Sequence, residues 1–162
     1  MSHTAYIGIG SNLNGPEENC AGAMEKIAGH PEIQVLSRSP LYRTEPVGPV
    51  EQGWFVNAAV KIQTPLGPLE LLDTLLSIEV KMGRIRKEKW GPRLIDLDLL
   101  LYDTLVQDEA GLSLPHPEIH KRRFVLAPLN EIAEDEIHPV LGKSIKELLA
   151  ELSDDSEVIR LP

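Results

Sequence analysis

The chain has 162 residues, 42% of them apolar and 25% charged, which is the ordinary globular mix at about one domain's length. No apolar run approaches the ~20 residues that a membrane-spanning helix requires, so a membrane protein is excluded and a single domain is expected over 1–162. Sixteen Lys and Arg against 25 Asp and Glu leave a net charge of −9, which argues against general binding to nucleic acid or to an anionic membrane.

In chain order, 4–10 alternates as a strand, and Pro16, behind Asn14 and Gly15, opens a helix to about Gly29, since proline suits the first helical position. The stretches 33–44 and 54–64 read as two strands rich in Val, Ile, Tyr and Trp, joined as a long hairpin through the Pro/Gly-rich segment 46–53. A helix is expected over 68–82, with Leu71, Leu72, Leu75, Leu76, Ile78 and Met82 on one stripe and Gly83 placed to end it. The stretch 94–102 is a strand so apolar, apart from two aspartates, that it belongs in the middle of the sheet. A proline-rich run at 114–117 leads to a short helix around 121–132, and Ser144 with Glu147 forms a capping box opening a last helix to Leu152. The order β, α, β, β, α, β and then extra helices is that of a ferredoxin-like α+β sandwich. No signal-peptide pattern stands at the N-terminus and Cys20 has no partner for a disulfide, so a reducing cytoplasm is the expected compartment.

The average charge conceals a reversal. Between Lys81 and Arg93 lie six basic residues and one acid, Glu88, so this window carries +5 and leaves −14 for the rest of the chain. Lys121, Arg122 and Arg123 form a second basic cluster. Arginine at 84, 86 and 93 offers planar forks for phosphate oxygens, glycines let the loop move, and Trp90 can close it against a flat ring. The alternative is a solvated charged loop whose tryptophan packs on the body.

Asp96 and Asp98 are two apart in a strand, so both carboxylates share a face about 6.6 Å apart, while Ile95, Leu97, Leu99 and Leu101 point to the other layer. Two like charges there need cations, and Mg²⁺ ions bound through carboxylates and substrate phosphates meet that need. The bland reading pairs the aspartates with arginines at a frayed strand end. Glu79 falls on the apolar stripe of its helix, where a carboxylate must be satisfied; an arginine partner and a ligand hydroxyl are equally open. Phe55 and Asn57 share a strand face, as a plate and an amide for a flat heterocycle or as ordinary core. His116 and His120 flank Pro117 and Glu118, which does not fit the zincin pattern, so phosphate contact by His116 near Arg122 is the functional reading. Gly8 and Gly10 begin a dinucleotide fingerprint, but residue 13 is Leu where a third glycine is required. Neither a P-loop nor a protein-kinase signature is present in the sequence.

Read together, these segments resemble the 6-hydroxymethyl-7,8-dihydropterin pyrophosphokinases of folate biosynthesis. The resemblance rests on Tyr6-Ile7-Gly8-Ile9-Gly10-Ser11-Asn12-Leu13, Tyr42-Arg43-Thr44-Glu45-Pro46-Val47-Gly48 and Phe55-Val56-Asn57-Ala58. It continues through Gly83-Arg84-Ile85-Arg86 and Trp90-Gly91-Pro92-Arg93-Leu94-Ile95-Asp96-Leu97-Asp98 to Leu114-Pro115-His116-Pro117 and Arg122-Arg123-Phe124-Val125-Leu126. It implies a ferredoxin-like fold and transfer of the pyrophosphoryl group of ATP to the pterin hydroxymethyl, with release of AMP. It further implies that Asp96 and Asp98 hold two Mg²⁺ ions, that Arg84 and Arg93 neutralise the transferring group, and that Arg86 helps to seat ATP. Glu79, His116 and Arg122 map onto nucleotide contacts. Phe55 and Phe124 would sandwich the pterin, Asn57 and the backbone around Thr44 and Val47 would read its edge, and Asn12, Trp90 and Asp96 belong to the same pocket. Small-molecule substrates and a monomer follow from the same resemblance. Lys89, Trp54 and Leu94 depart from the family's commonest residues. Two other classes remain: a metal-dependent nucleotidyltransferase, whose Gly-Ser signal should lie closer to its aspartates, and a non-catalytic ferredoxin-like module that binds a small anion.

Overall fold

The structure is a computed structural model that describes residues 2–46, 53–83, 94–109, 111–154 and 156–162. Its elements are β1 (His3–Ser11), α1 (Pro16–Ala28), β2 (Gln34–Arg38), β3 (Tyr42–Thr44), β4 (Phe55–Thr64), α2 (Pro68–Lys81) and β5 (Asp96–Tyr102). They continue with β6 (Gln107–Glu109), β7 (Leu112–Leu114), a 3₁₀ turn at Ile119–Lys121, α3 (Arg123–Ala133), α4 (Ile145–Glu151) and β8 (Val158–Arg160). Six strands form one antiparallel sheet in the order β5-β1-β4-β3-β8, with β2 also paired to β4. The α+β ferredoxin-like architecture expected from element order is present. Among the described residues no helix is long and apolar enough to cross a membrane.

Alternation along the strands builds two apolar layers, because successive side chains leave a strand on opposite faces. Ala5, Ile7 and Ile9 of β1, Val56, Ala58, Val60 and Ile62 of β4, and Leu97 and Leu99 of β5 meet Cys20, Ala23, Met24 and Ile27 of α1 and Leu71, Leu75 and Ile78 of α2. On the other face Tyr6, Ala59 and Leu100 pack with Leu126, Leu129 and Ala133 of α3 and Ile145 and Leu148 of α4. Pro16 stands at the start of α1 and Gly83, at φ +91°, just beyond α2; the left-handed φ is one that a side-chain-bearing residue adopts at a cost. Ser144 caps α4 by accepting the Glu147 N–H at 3.1 Å while the Glu147 carboxylate accepts the Ser144 N–H at 3.0 Å.

Four expectations need correction. The stretch 94–102 is not central: among the described residues β5 pairs only with β1, at the end of the sheet. Its apolar character comes from helices or layers on both faces and from a covered outer edge, where the His116 N–H donates to the Leu100 carbonyl at 2.9 Å. Leu101 does not continue the Leu97–Leu99 face. Tyr6 pairs with Leu101 but Ile7 with Leu99, so Leu100 is the extra residue of a bulge that turns Leu101 towards α3 and α4. The stretch 33–44 is two strands, β2 and β3, separated by Ser39, Pro40 and Leu41; proline has no N–H for a ladder. Leu76 is 37% exposed rather than part of the α2 stripe. The β6–β7 hairpin and β8 carried no clear signal, being three residues each.

Candidate active site

The bulge that reorients Leu101 leaves the regular part of β5 to set the aspartates. Asp96 lies opposite Gly10 and Asp98 opposite Gly8, and β1 in turn sets Gly10 opposite Asn57 and Gly8 opposite Ala59. Two rows therefore cross three strands on the α3/α4 face of the sheet, Asn57-Gly10-Asp96 and Ala59-Gly8-Asp98. Both aspartates are half-buried and lie opposite glycines of β1, and the Leu100 and Asn57 side chains pack over those glycines. Sequence reasoning weighed these glycines only as a nucleotide fingerprint and missed this use. The signal was present as glycine at alternate strand positions, the spacing at which one face loses its side chains.

Gly10 is needed sterically. A Cβ built there would lie 2.7 Å from Asn57 Nδ2, and that amide is held at both ends. The Thr44 hydroxyl donates to Asn57 Oδ1 at 2.5 Å, and Asn57 Nδ2 donates to the Ile9 carbonyl at 3.5 Å. Thr44 is 1% exposed and Asn57 8%, so the pair is a satisfied buried amide. Phe55, opposite Thr44 on β4, is half-buried on the same face. Asn12 Nδ2 donates to the Gly53 carbonyl at 3.1 Å, tying the end of β1 to the approach to β4. The Arg43 guanidinium stacks over the Trp54 ring 4.8 Å from its centroid.

Glu79 is 3% exposed, and one of its partners is a backbone donor. Its Oε2 accepts the Leu97 N–H at 2.7 Å. The bond comes from the edge of β5 facing away from β1, at the residue between Asp96 and Asp98. The carboxylate on α2 thus fixes the strand segment that presents both aspartates, and a charge-assisted bond of this length is among the stronger kinds. Sequence alone did not offer this partner because backbone donors have no residue type.

His116 donates its N–H further along β5, to the Leu100 carbonyl. Its Nδ1 accepts the Glu118 N–H at 3.1 Å, which leaves the proton of the neutral ring on Nε2. Burial, and then the positive charge of Arg122, hold its pKa below the ordinary 6.5. The Arg122 guanidinium lies over the Phe124 ring at 5.6 Å. The structure therefore brings together, on or beside one face, Asn57, Thr44, Phe55, Asp96 and Asp98, with Glu79 behind the strand and His116, Arg122 and Phe124 at the entry to α3. Val47, Arg84, Arg86, Trp90 and Arg93 lie outside the described residues.

Among the described residues no group of three or more His, Cys, Asp or Glu side chains is gathered as a metal cage. Two half-buried carboxylates on one face are the donor set that suits Mg²⁺, which keeps waters or substrate phosphates as its remaining ligands.

The family model for 7,8-dihydro-6-hydroxymethylpterin-pyrophosphokinase matches residues 6–134. The 2-amino-4-hydroxy-6-hydroxymethyldihydropteridine pyrophosphokinase of Methylorubrum extorquens is 46% identical over 157 residues, covering 97% of this chain and 98% of that protein. The protein of the same name from Haemophilus influenzae is 42% identical over 151 residues, covering 93% and 94%. Among solved structures, the Plasmodium falciparum HPPK-DHPS wild type with pterin and p-hydroxybenzoate superposes with a TM-score of 0.74 at 16% identity, over 93% of this chain and 42% of that one. The chain spans less than half of that longer protein, and at this identity the likeness speaks to the fold.

Proposed function

The chain belongs to the 7,8-dihydro-6-hydroxymethylpterin-pyrophosphokinase family, and from that premise we propose that it transfers the β,γ-pyrophosphoryl group of ATP to 6-hydroxymethyl-7,8-dihydropterin in folate biosynthesis, as a single domain. The observation that carries the reading is the row Asn57-Gly10-Asp96, which sets an amide suited to a heterocycle edge and a carboxylate suited to Mg²⁺ on one face, two strands apart.

In this reading the hydroxymethyl oxygen attacks the β-phosphorus, the bond from that phosphorus to the α,β-bridging oxygen breaks, the bridging oxygen leaves with AMP, and the hydroxyl proton passes to solvent. Asp96 and Asp98 would hold two Mg²⁺ ions, which would supply charge neutralisation on the triphosphate and lower the pKa of the hydroxyl. Glu79 holds Leu97 and so keeps the spacing of those two carboxylates. Arg84 and Arg93 neutralise charge on the transferring group and Arg86 seats the nucleotide, as forks for phosphate oxygens. His116, neutral at pH 7, contributes a hydrogen-bond donor at Nε2 rather than a charge, with Arg122 beside it. Phe55 and Phe124 hold the two faces of the pterin ring, Asn57, Thr44 and Val47 read its edge, and Asn12 and Trp90 complete the pocket. No covalent intermediate is required, since positioning and electrostatics supply the rate. A monomer in a reducing cytoplasm suits Cys20, which is buried, unpaired and pushed up to about 12 in pKa by burial, a poor nucleophile.

The test is to incubate the protein with ATP, Mg²⁺ and 6-hydroxymethyl-7,8-dihydropterin and to separate the nucleotides. AMP that appears only with both pterin and metal supports pyrophosphoryl transfer. Release of inorganic pyrophosphate points to nucleotidyl transfer instead. A folded, ATP-binding sample without turnover is the mark of the anion-binding module.

A further inference from the structure

We propose that the C-terminal tail is a positioning strap for the pterin side of the site. Resting on the function proposed above, this means that β8 and Asp154 set the distance and orientation between the two pterin walls, and that the nucleotide side is indifferent to them. The tail lies beyond residue 134, where the family match ends, yet it contacts both walls.

At one end, Asp154 Oδ2 accepts the Arg123 N–H at 3.2 Å and its Oδ1 accepts the Ser156 N–H at 2.9 Å. The carboxylate therefore fixes the first residue of α3, the neighbour of Phe124. At the other end, β8 pairs antiparallel with β3, Tyr42 opposite Arg160, Arg43 opposite Ile159 and Thr44 opposite Val158. The Leu161 N–H donates to the Leu41 carbonyl at 2.9 Å and the Glu45 N–H to the Glu157 carbonyl at 3.0 Å. Hydrogen-bonded pairs recur every second residue in an antiparallel ladder. Arg43 and Ile159, midway between those two pairs, are thus the third bonded pair, and the Val158 N–H points away from β3.

β3 has three residues and, without β8, would be a sheet edge held only by Phe55, Val56 and Asn57. So short a strand holds its conformation poorly by itself. Its Thr44 is the residue that donates to Asn57 Oδ1, and the Asn57 amide can present its free valences in one sense only while that bond stands. The metal and nucleotide groups Asp96 and Asp98 sit on β5, at the far end of the order β5-β1-β4-β3-β8. Loosening β8 therefore reaches Thr44 and Asn57 first.

The proline pair Ile159→Pro and Val158→Pro, each in the full-length chain, separates the strap from general damage. The first deletes the N–H bonded to Arg43; the second deletes one that the ladder does not use, which an edge strand tolerates. Dissociation constants are measured for the pterin and for a non-hydrolysable ATP analogue with Mg²⁺. Ile159→Pro is expected to weaken pterin binding about tenfold and leave the nucleotide within about twofold, with Val158→Pro within about twofold on both. Equal effects of the two prolines, an unchanged pterin constant in Ile159→Pro, or parallel losses of both ligands would overturn the strap. Should Ile159→Pro fail to fold, amide exchange in the wild-type protein decides: saturating pterin is expected to slow the Arg43 and Ile159 amides by linkage and the nucleotide analogue is not, and unchanged protection would overturn it. Wild-type protein that binds nucleotide but no pterin removes the proposed function and the strap with it. Wild-type binding of pterin with an indifferent Ile159→Pro removes the strap alone.

Discussion

The two edges of the sheet are closed by different devices. At β5 the closing groups are near in sequence: Glu79 from the helix just before and the His116 N–H from the segment that follows the β6–β7 hairpin. At β3 the closing strand comes from the far end of the chain, Glu45 meeting Glu157. The β5 edge uses a buried carboxylate that accepts the N–H of the residue between Asp96 and Asp98, so its hold is electrostatic. The β3 edge uses neutral backbone bonds and a hydroxyl-amide pair, so its economy is conformational. A site laid across both edges should lose catalysis when the first is disturbed and selectivity for the flat substrate when the second is.

The largest expected effect falls on the charged edge. Asp96→Ala and Asp98→Ala should each lower pterin-dependent AMP formation by about a thousandfold, the scale of removing a charge-stabilising group from a reacting centre, while thermal unfolding shows an intact fold. Near-normal turnover in either variant would take the metal role away from that residue. Next, Glu79→Leu leaves the Leu97 N–H without that acceptor and should cost about 1–3 kcal/mol in urea unfolding, whereas Glu79→Gln retains an acceptor and most of the stability. Equal stability of the two would mean that the carboxylate is not what fixes this strand.

On the conformational edge, Gly10→Ala forces a Cβ to within 2.7 Å of Asn57 Nδ2, while Gly8→Ala meets Leu100 at an ordinary 3.4 Å. Gly10→Ala is expected to weaken pterin binding about tenfold, or about 1.4 kcal/mol, with nucleotide binding little changed and Gly8→Ala milder on the pterin. A titration of both ligands against both variants checks the order. The smallest effect concerns pH. His116 and His138 are both held below 6.5, His116 by burial and then Arg122, His138 by burial and then His120. The unfolded chain then binds these protons more readily, so their stabilising contribution is full above about pH 6.5 and is lost as pH falls below that value and through the lower pKa of the folded state. Thermal unfolding at pH 7.5 and 5.5 should drop by a few degrees on the acid side, and His138→Gln should flatten the slope; an unchanged slope would clear His138 of the effect. Its Nδ1 accepts the Val140 and Leu141 N–H groups at 3.2 and 3.0 Å, which protonation there would break.

Much of this was legible in the residues alone. The alternation of 4–10, the proline that opens α1, the stripe of α2 and the capping box of α4 are local signals, and each produced its element within a residue or two. The shared face of Asp96 and Asp98 followed from a two-residue spacing. By contrast, the position of β5 at the end of the sheet was hidden, because burial by helices and by a covering loop makes an edge strand as apolar as a central one. The bulge at Leu100 was hidden because nothing in Leu99-Leu100-Leu101 marks which leucine is extra.

Local chemistry determined which side chains this protein brings to its site, since residue type, spacing and strand period are properties of a few neighbouring residues. Tertiary structure alone decided what holds them. The acceptor of the Leu97 N–H, the glycines facing the two aspartates and the tail strand beside Thr44 are all pairings between segments distant in the chain. Backbone donors and acceptors are the same in every residue, so only the folded chain selects among them.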